Sequence, residues 1–117
     1  MKLVIKRIYD EYDPDDGLRI LVDRLWPRGI KKSSAHVDRW EKEIAPSTEL
    51  RKWFSHDPEK WETFSKKYKQ EIAGTEALKT FAASIRKEKK VTLLYAAKDE
   101  AHTHALVLQE VLKGMFK

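Results

Sequence analysis

Residues 91–97, Val91-Thr92-Leu93-Leu94-Tyr95-Ala96-Ala97, form a nearly continuous apolar run. That is the pattern of a central strand covered on both faces. Such a strand needs partners on either side and layers above and below it, so the rest of the chain is read for those.

Residues 3–9, Leu3-Val4-Ile5-Lys6-Arg7-Ile8-Tyr9, are rich in β-branched and aromatic types and predict a first strand. Asp13-Pro14-Asp15-Asp16-Gly17 combines a pre-set φ, Asx hydrogen bonding and a residue that tolerates positive φ, which predicts a turn. A second strand follows over residues 18–25 and ends at Trp26-Pro27-Arg28-Gly29. The short link makes these two strands an antiparallel hairpin if they are neighbours, because a parallel pair usually needs a crossover of a dozen or more residues.

Val37, Trp40 and Ile44 fit a short helix within residues 30–46, although Pro46 and the scattered charges are equally compatible with an irregular stretch. Ser47 caps a short helix carrying Leu50, Trp53 and Phe54 on one face. Asp57-Pro58-Glu59 is a helix start, with Trp61, Phe64, Tyr68 and Ile72 recurring at three- and four-residue steps up to Gly74. Thr75 caps the next helix, whose core stripe is Leu78, Phe81, Ala82 and Ile85. After the apolar run, Asp99 is expected to cap a last helix over about residues 100–113, with Ala101, Ala105, Leu108 and Leu112 inward. The order β-β-(helices)-β-α predicts an α/β fold. It is one domain over residues 1–117, with a small sheet of about three or four strands packed against several helices. The excursion from the second strand to the third is expected to be a right-handed crossover.

Composition narrows the function classes. The 117 residues suffice for one core but not two. Charged residues make up 37%, with mixed signs and recurring aromatics, which indicates an ordered domain with a heavily charged surface. The absence of cysteine excludes disulfides, thiolate nucleophiles and Cys-ligated zinc. No signal-peptide h-region and no membrane-spanning run is seen, so a cytoplasmic location without membrane contact is expected. The net charge of +5 favours anionic partners.

In open α/β sheets ligands bind beyond the carboxyl ends of strands. Two such ends are polar here: Asp23 to Gly29, and Lys98-Asp99 with His102, Thr103 and His104. They reach one edge if their strands are parallel neighbours. Asp23 within an apolar strand either joins a structural ion pair or orients a ligand, a base or a water. Arg28, framed by Pro27 and Gly29, either faces solvent or grips an anion at two points. The helical wheel puts His104 at the edge of the apolar arc. There it is either a packed histidine satisfied by one carbonyl or an acid–base or ligand-binding imidazole beside Asp23. His102 falls on the polar side. A two-residue step diverges by about 200° on a helix, so no metal site is expected from the two histidines. No phosphate-binding glycine loop, nucleophile elbow or RNA-binding signature is present.

Four segments together resemble the YeaO-like branch of the family called domain of unknown function 488. They are Ile5-Lys6-Arg7-Ile8-Tyr9-Asp10; Val22-Asp23-Arg24-Leu25-Trp26-Pro27-Arg28-Gly29; Ala45-Pro46-Ser47-Thr48-Glu49-Leu50-Arg51-Lys52-Trp53-Phe54; and Leu93-Leu94-Tyr95-Ala96-Ala97-Lys98-Asp99 with His102 and His104. The resemblance spans essentially the whole chain. It implies an α/β domain in which Asp23, Arg24, Trp26, Pro27, Arg28, Gly29, Lys98, Asp99, His102 and His104 are signature residues, and it brings no reaction with it. Longer relatives carry a Cys between the two histidines and an Arg just after them, where this chain has Thr103 and Ala105.

Two functions follow. In the first, an enzyme or sensor binds a small anionic ligand, phosphorylated or nucleotide-like. Arg24 and Arg28 hold the anion, Trp26 walls it, Lys98, Asp99 and His102 add contacts, and Asp23 with His104 handles protons. In the second, the basic helices with Lys66, Lys67, Lys69, Arg86, Lys87, Lys89 and Lys90 bind nucleic acid. No particular cofactor or oligomeric state is implied.

Overall fold

The computed structural model describes all of residues 1–117. Its strands are β1 (Lys2–Arg7), β2 (Leu18–Leu21), β3 (Arg39–Trp40) and β4 (Lys90–Tyr95). Its helices are α1 (Thr48–Phe54), α2 (Trp61–Ile72), α3 (Glu76–Ile85) and α4 (His104–Met115). The sheet order is β1-β4-β2-β3, and every pair is parallel. This is the expected α/β fold with four strands.

The apolar run becomes the interior strand. Val91 pairs with both Leu3 and Leu18, and Leu93 with both Ile5 and Ile20. Alternation divides β4 between two cores. Val91, Leu93 and Tyr95 join the main core beneath the helices, while Leu94 packs with Ile8 and Leu21 on the other face. Each buried Leu contributes roughly 1.5–3 kcal/mol of transfer free energy.

The hairpin expectation is overturned. β4 lies between β1 and β2 and runs parallel to both, so residues 8–17, with the expected turn at Asp13 to Gly17, form a short crossover instead of a hairpin link. A polar cluster pins this crossover across the sheet. The Asp16 carboxylate accepts from Lys6 Nζ at 3.0 Å and from the buried Arg19 guanidinium. The Asp16 carbonyl accepts from the Thr92 hydroxyl at 2.6 Å. Asp13 and Asp16 close a capping box around the 3₁₀ turn Pro14–Asp16. Gly17 then turns the chain into β2 at φ 70°, where a Cβ would run into the Lys90 carbonyl. Loops therefore cover one sheet face and helices the other. Trp26, Ile30, Val37 and Trp40 complete the loop-side layer.

Two further boundaries differ from expectation. β2 ends at Leu21, so Asp23 to Gly29 is loop. The residues 30–46 hold a 3₁₀ turn, Lys32–Ser34, and the edge strand β3 instead of a helix. Val37 and Trp40 pack on the loop side and Ile44 in the helix-side core, so no single helical face serves all three.

The helix caps follow their side chains. Ser47 Oγ accepts from the Leu50 amide at 3.1 Å, and Thr75 Oγ1 from the Leu78 amide at 3.2 Å. Asp57 caps the 3₁₀ turn Pro58–Lys60 that leads into α2. α4 starts four residues later than expected, at His104, with Thr103 and not Asp99 as its cap.

Two measurements test this framework. Gly17→Ala is expected to destabilise by more than about 2 kcal/mol, read as a lowered urea midpoint, since it combines forbidden dihedrals with a backbone clash. Arg19→Ala is expected to cost about 3–5 kcal/mol by leaving Asp16 buried without its guanidinium. Burial raises the Asp16 pKa, but hydrogen bonds from Lys6, the Asp13 amide and Arg19 outweigh it and hold the group below its ordinary 3.8. The carboxylate's contribution is therefore complete above pH 3.8 and disappears as the pH falls through the lower folded-state value. The stability gap between the protein and Asp16→Asn should narrow only below that pH.

Candidate functional site

Parallel pairing of β2 with β4 sends both carboxyl ends to one sheet edge. There the loop after β2, the loop after β4, the first turn of α4 and the end of α1 enclose a cavity of about 560 Å³. That size suits a metabolite-sized ligand. Its lining includes Asp23, Arg24 and Trp26 from the first loop and Lys98, Asp99, His102 and His104 from the second.

Asp23 sits at the floor and joins three elements. Its Oδ2 accepts from the Ala96 amide at 3.0 Å, which ties the end of β2 to the end of β4. Its Oδ1 lies 3.3 Å from His104 Nε2 but is buried without an aligned hydrogen bond. Burial pushes the Asp23 pKa up, and the pull of His104, the Ala96 amide and Arg51 in the other direction does not offset it. No Lys or Arg forms an ion pair with Asp23, so the structural ion pair is not its environment. His104 Nε2 donates to the Val22 carbonyl at 2.9 Å, and its ring meets Tyr68 edge-on at 6.0 Å. The Tyr68 hydroxyl donates to the Ile44 carbonyl, and burial pushes that phenol up.

The second loop makes another carboxylate–imidazole pair. His102 Nδ1 lies 2.7 Å from Asp99 Oδ2, and this hydrogen bond holds the Asp99 carboxyl below its usual range. Asp99 Oδ1 also accepts from the Ala101 amide, so it shapes the loop and not the helix start. The His102 ring stands edge-on to Trp61 at 5.5 Å.

Other sequence-derived residues have different surroundings. Arg24 reaches the cavity, but its Nε and one terminal nitrogen donate to the carbonyls of Pro46 and Ala45, both at 2.9 Å. Trp26 donates from Nε1 to the Ile30 carbonyl and packs against Trp40. The expectation that Arg28 grips the ligand does not match its position. Arg28 is exposed and outside the cavity, because the loop turns at Gly29 (φ 80°) with the Arg28 carbonyl held by Tyr9.

Arg51 and His56 also line the cavity, together with Phe54 and Phe64. Sequence reasoning missed these contributions. Arg51 looks like any solvated helix residue, and His56 enters only because Ser55 and His56 take left-handed dihedrals (φ 45° and 56°) after α1. Arg51 and Lys98 are exposed at the cavity rim and enter no ion pair. The cavity thus has a cationic rim, an aromatic wall and a carboxylate at its floor. No three His, Asp or Glu side chains converge to hold a metal ion, and no helix is long and apolar enough to cross a membrane.

Similarity to known proteins agrees with the sequence motifs. The chain is 48% identical over 115 residues to "Uncharacterized protein YeaO" of Escherichia coli, covering 98% of this chain and 100% of that protein. It is 42% identical over 113 residues to "Uncharacterized protein Rv3073c" of Mycobacterium tuberculosis, covering 94% and 92%. No solved structure matches it. The family model described as "Inactive DUF488-N3 subclade" matches residues 2–117, and the chain therefore belongs to the DUF488 family, in that subclade.

Proposed function

We propose that this protein is a binding or sensing domain for a small anionic ligand, phosphorylated or nucleotide-like, held at the carboxyl ends of β2 and β4. The observation that carries this reading is the pair of rim cations, Arg51 and Lys98, which are free of ion pairs over an aromatic-walled cavity. An anion entering there finds charge without displacing an internal partner. Phe54, Phe64 and Trp26 give an apolar or planar body a surface to lie against. Asp23 and His104 act here as the polar floor that orients the ligand.

Binding without turnover is favoured on two grounds. The subclade is described as inactive. The position where longer relatives carry a thiol holds Thr103, which is buried and whose Oγ1 caps α4 by accepting from the Ala105 amide. A nucleic-acid role for the helices has less support. Lys69 pairs with Glu110, Lys67 lies over the Trp53 ring and Arg86 over Phe116.

Thermal-shift screening against phosphorylated metabolites and nucleotides tests the proposal. A ligand present at a hundred times its Kd stabilises by about 2.7 kcal/mol, a clear rise in Tm. Arg51→Ala and Lys98→Ala are each expected to weaken binding about tenfold or more, while Arg28→Ala leaves it unchanged. Failure of every anion to raise Tm, or a shift that survives both rim substitutions, overturns the reading.

A further inference from the structure

The two histidines of the site are held by opposite ring nitrogens. A carbonyl oxygen carries no proton, so the 2.9 Å contact between His104 Nε2 and the Val22 carbonyl requires hydrogen on Nε2. Asp99 is a carboxylate with a lowered pKa, so its 2.7 Å contact with His102 requires hydrogen on Nδ1. Each neutral ring then keeps its lone pair on the other nitrogen, Nδ1 of His104 and Nε2 of His102. Neither of these nitrogens makes a hydrogen bond. Neither is sealed in the protein, since Asp23 Oδ1 is the buried polar side-chain atom left without a partner. Both residues line the cavity.

Two open ring nitrogens, on residues that line a cavity with a cationic rim, set a condition on what enters. A neutral imidazole repels an anion through its lone pair, whereas an imidazolium donates to it. Imidazole is the side chain that changes charge between about pH 5 and 8. Building on the anion-binding role above, we propose that the site takes its anion together with a proton, received on His102 Nε2 or His104 Nδ1, and that its ligand is a phosphomonoester. The second ionisation of a phosphomonoester lies near pH ~6, in the range where imidazole also titrates. A monoanionic ester can hand its own proton to the ring, leaving dianion and imidazolium. A dianionic ester reaches the same complex by drawing one proton from solvent. A phosphodiester brings no proton of its own at any pH in this range and carries half the charge of the dianion, so it gains less from the imidazolium and the cationic rim.

Charged and polar groups surround both rings. Asp23, from the loop after β2, lies 3.3 Å from His104, and Asp99 lies 2.7 Å from His102. Arg51 and His56 at the end of α1, Arg24 from the first loop and Lys98 beside Asp99 line the same cavity. Tyr68 and Trp61 of α2 present aromatic rings, with the Tyr68 hydroxyl occupied by the Ile44 carbonyl.

Calorimetry with adenosine 5′-monophosphate, using inorganic phosphate as a second probe, tests this in buffers of different ionisation enthalpy. At pH 8 up to one proton is expected to be taken up per ligand bound, and Kd should weaken by up to tenfold per pH unit between 7 and 8. The phosphodiester 3′,5′-cyclic AMP should bind at least tenfold more weakly than the monoester at pH 6. His104→Gln keeps a donor for Val22, and His102→Asn keeps one for Asp99. The double variant should stay folded, with no proton uptake and a flat pH profile. In the free protein at pH 8, nitrogen NMR of the rings should find His102 protonated on Nδ1 and His104 on Nε2. Binding of either probe at pH 8 without proton uptake, equal affinity for the diester at pH 6, or both rings in one tautomer overturns the coupling and leaves the binding role standing. Absence of binding by both probes at pH 6, while another anion raises Tm, overturns the monoester and leaves the binding role standing; failure of every anion overturns the two together.

Discussion

The insertion of β4 between β1 and β2 is the constraint on which the remaining structure depends. Its backbone is paired on both sides, and its alternating side chains enter two separate cores. Buried peptide groups must be paired, so an apolar strand of this kind is stable only in the interior of a sheet. That position forces the chain between β1 and β2 to cross β4. The cluster of Asp16, Lys6, Arg19 and Thr92 exists at this crossing, where a polar crossover segment lies over a sheet face.

The same insertion creates the site. With β2 and β4 parallel and adjacent, the Ala96 amide at the end of one reaches the Asp23 carboxylate beyond the end of the other. The first turn of α4 then brings His104 onto Val22 and Asp23. A carboxyl group placed in this way is shielded from water and short of hydrogen-bond donors, which costs stability. Arg51 and Lys98 stay exposed at the rim.

Local chemistry made much of the fold legible. Ser47 and Thr75 cap the helices they precede, the stripes of α2 and α3 are buried, and β4 is interior. The strand ends that form the site were also legible, because Asp23, Lys98, Asp99, His102 and His104 interrupt or follow apolar strands. Residues 8–17 and 30–46 misled for a shared reason. Turn chemistry at Asp13 to Gly17 is the same whether the chain reverses or crosses over, and Val37, Trp40 and Ile44 are apolar for two different cores. The last helix begins at Thr103 because Asp99 is engaged with His102 and the Ala101 amide.

The amino-acid sequence by itself determined the elements, the α/β class and the two polar segments that meet at the sheet edge. Periodicity and capping are encoded within a few residues of where they act. Only the tertiary structure decided the strand order, the exclusion of Arg28, the entry of Arg51 and His56, and the ring nitrogens by which His102 and His104 are held. Each of these depends on a contact between segments far apart in the chain, such as Val22 with His104. Spacing along the backbone carries no information about such contacts until β4 has taken its place in the sheet.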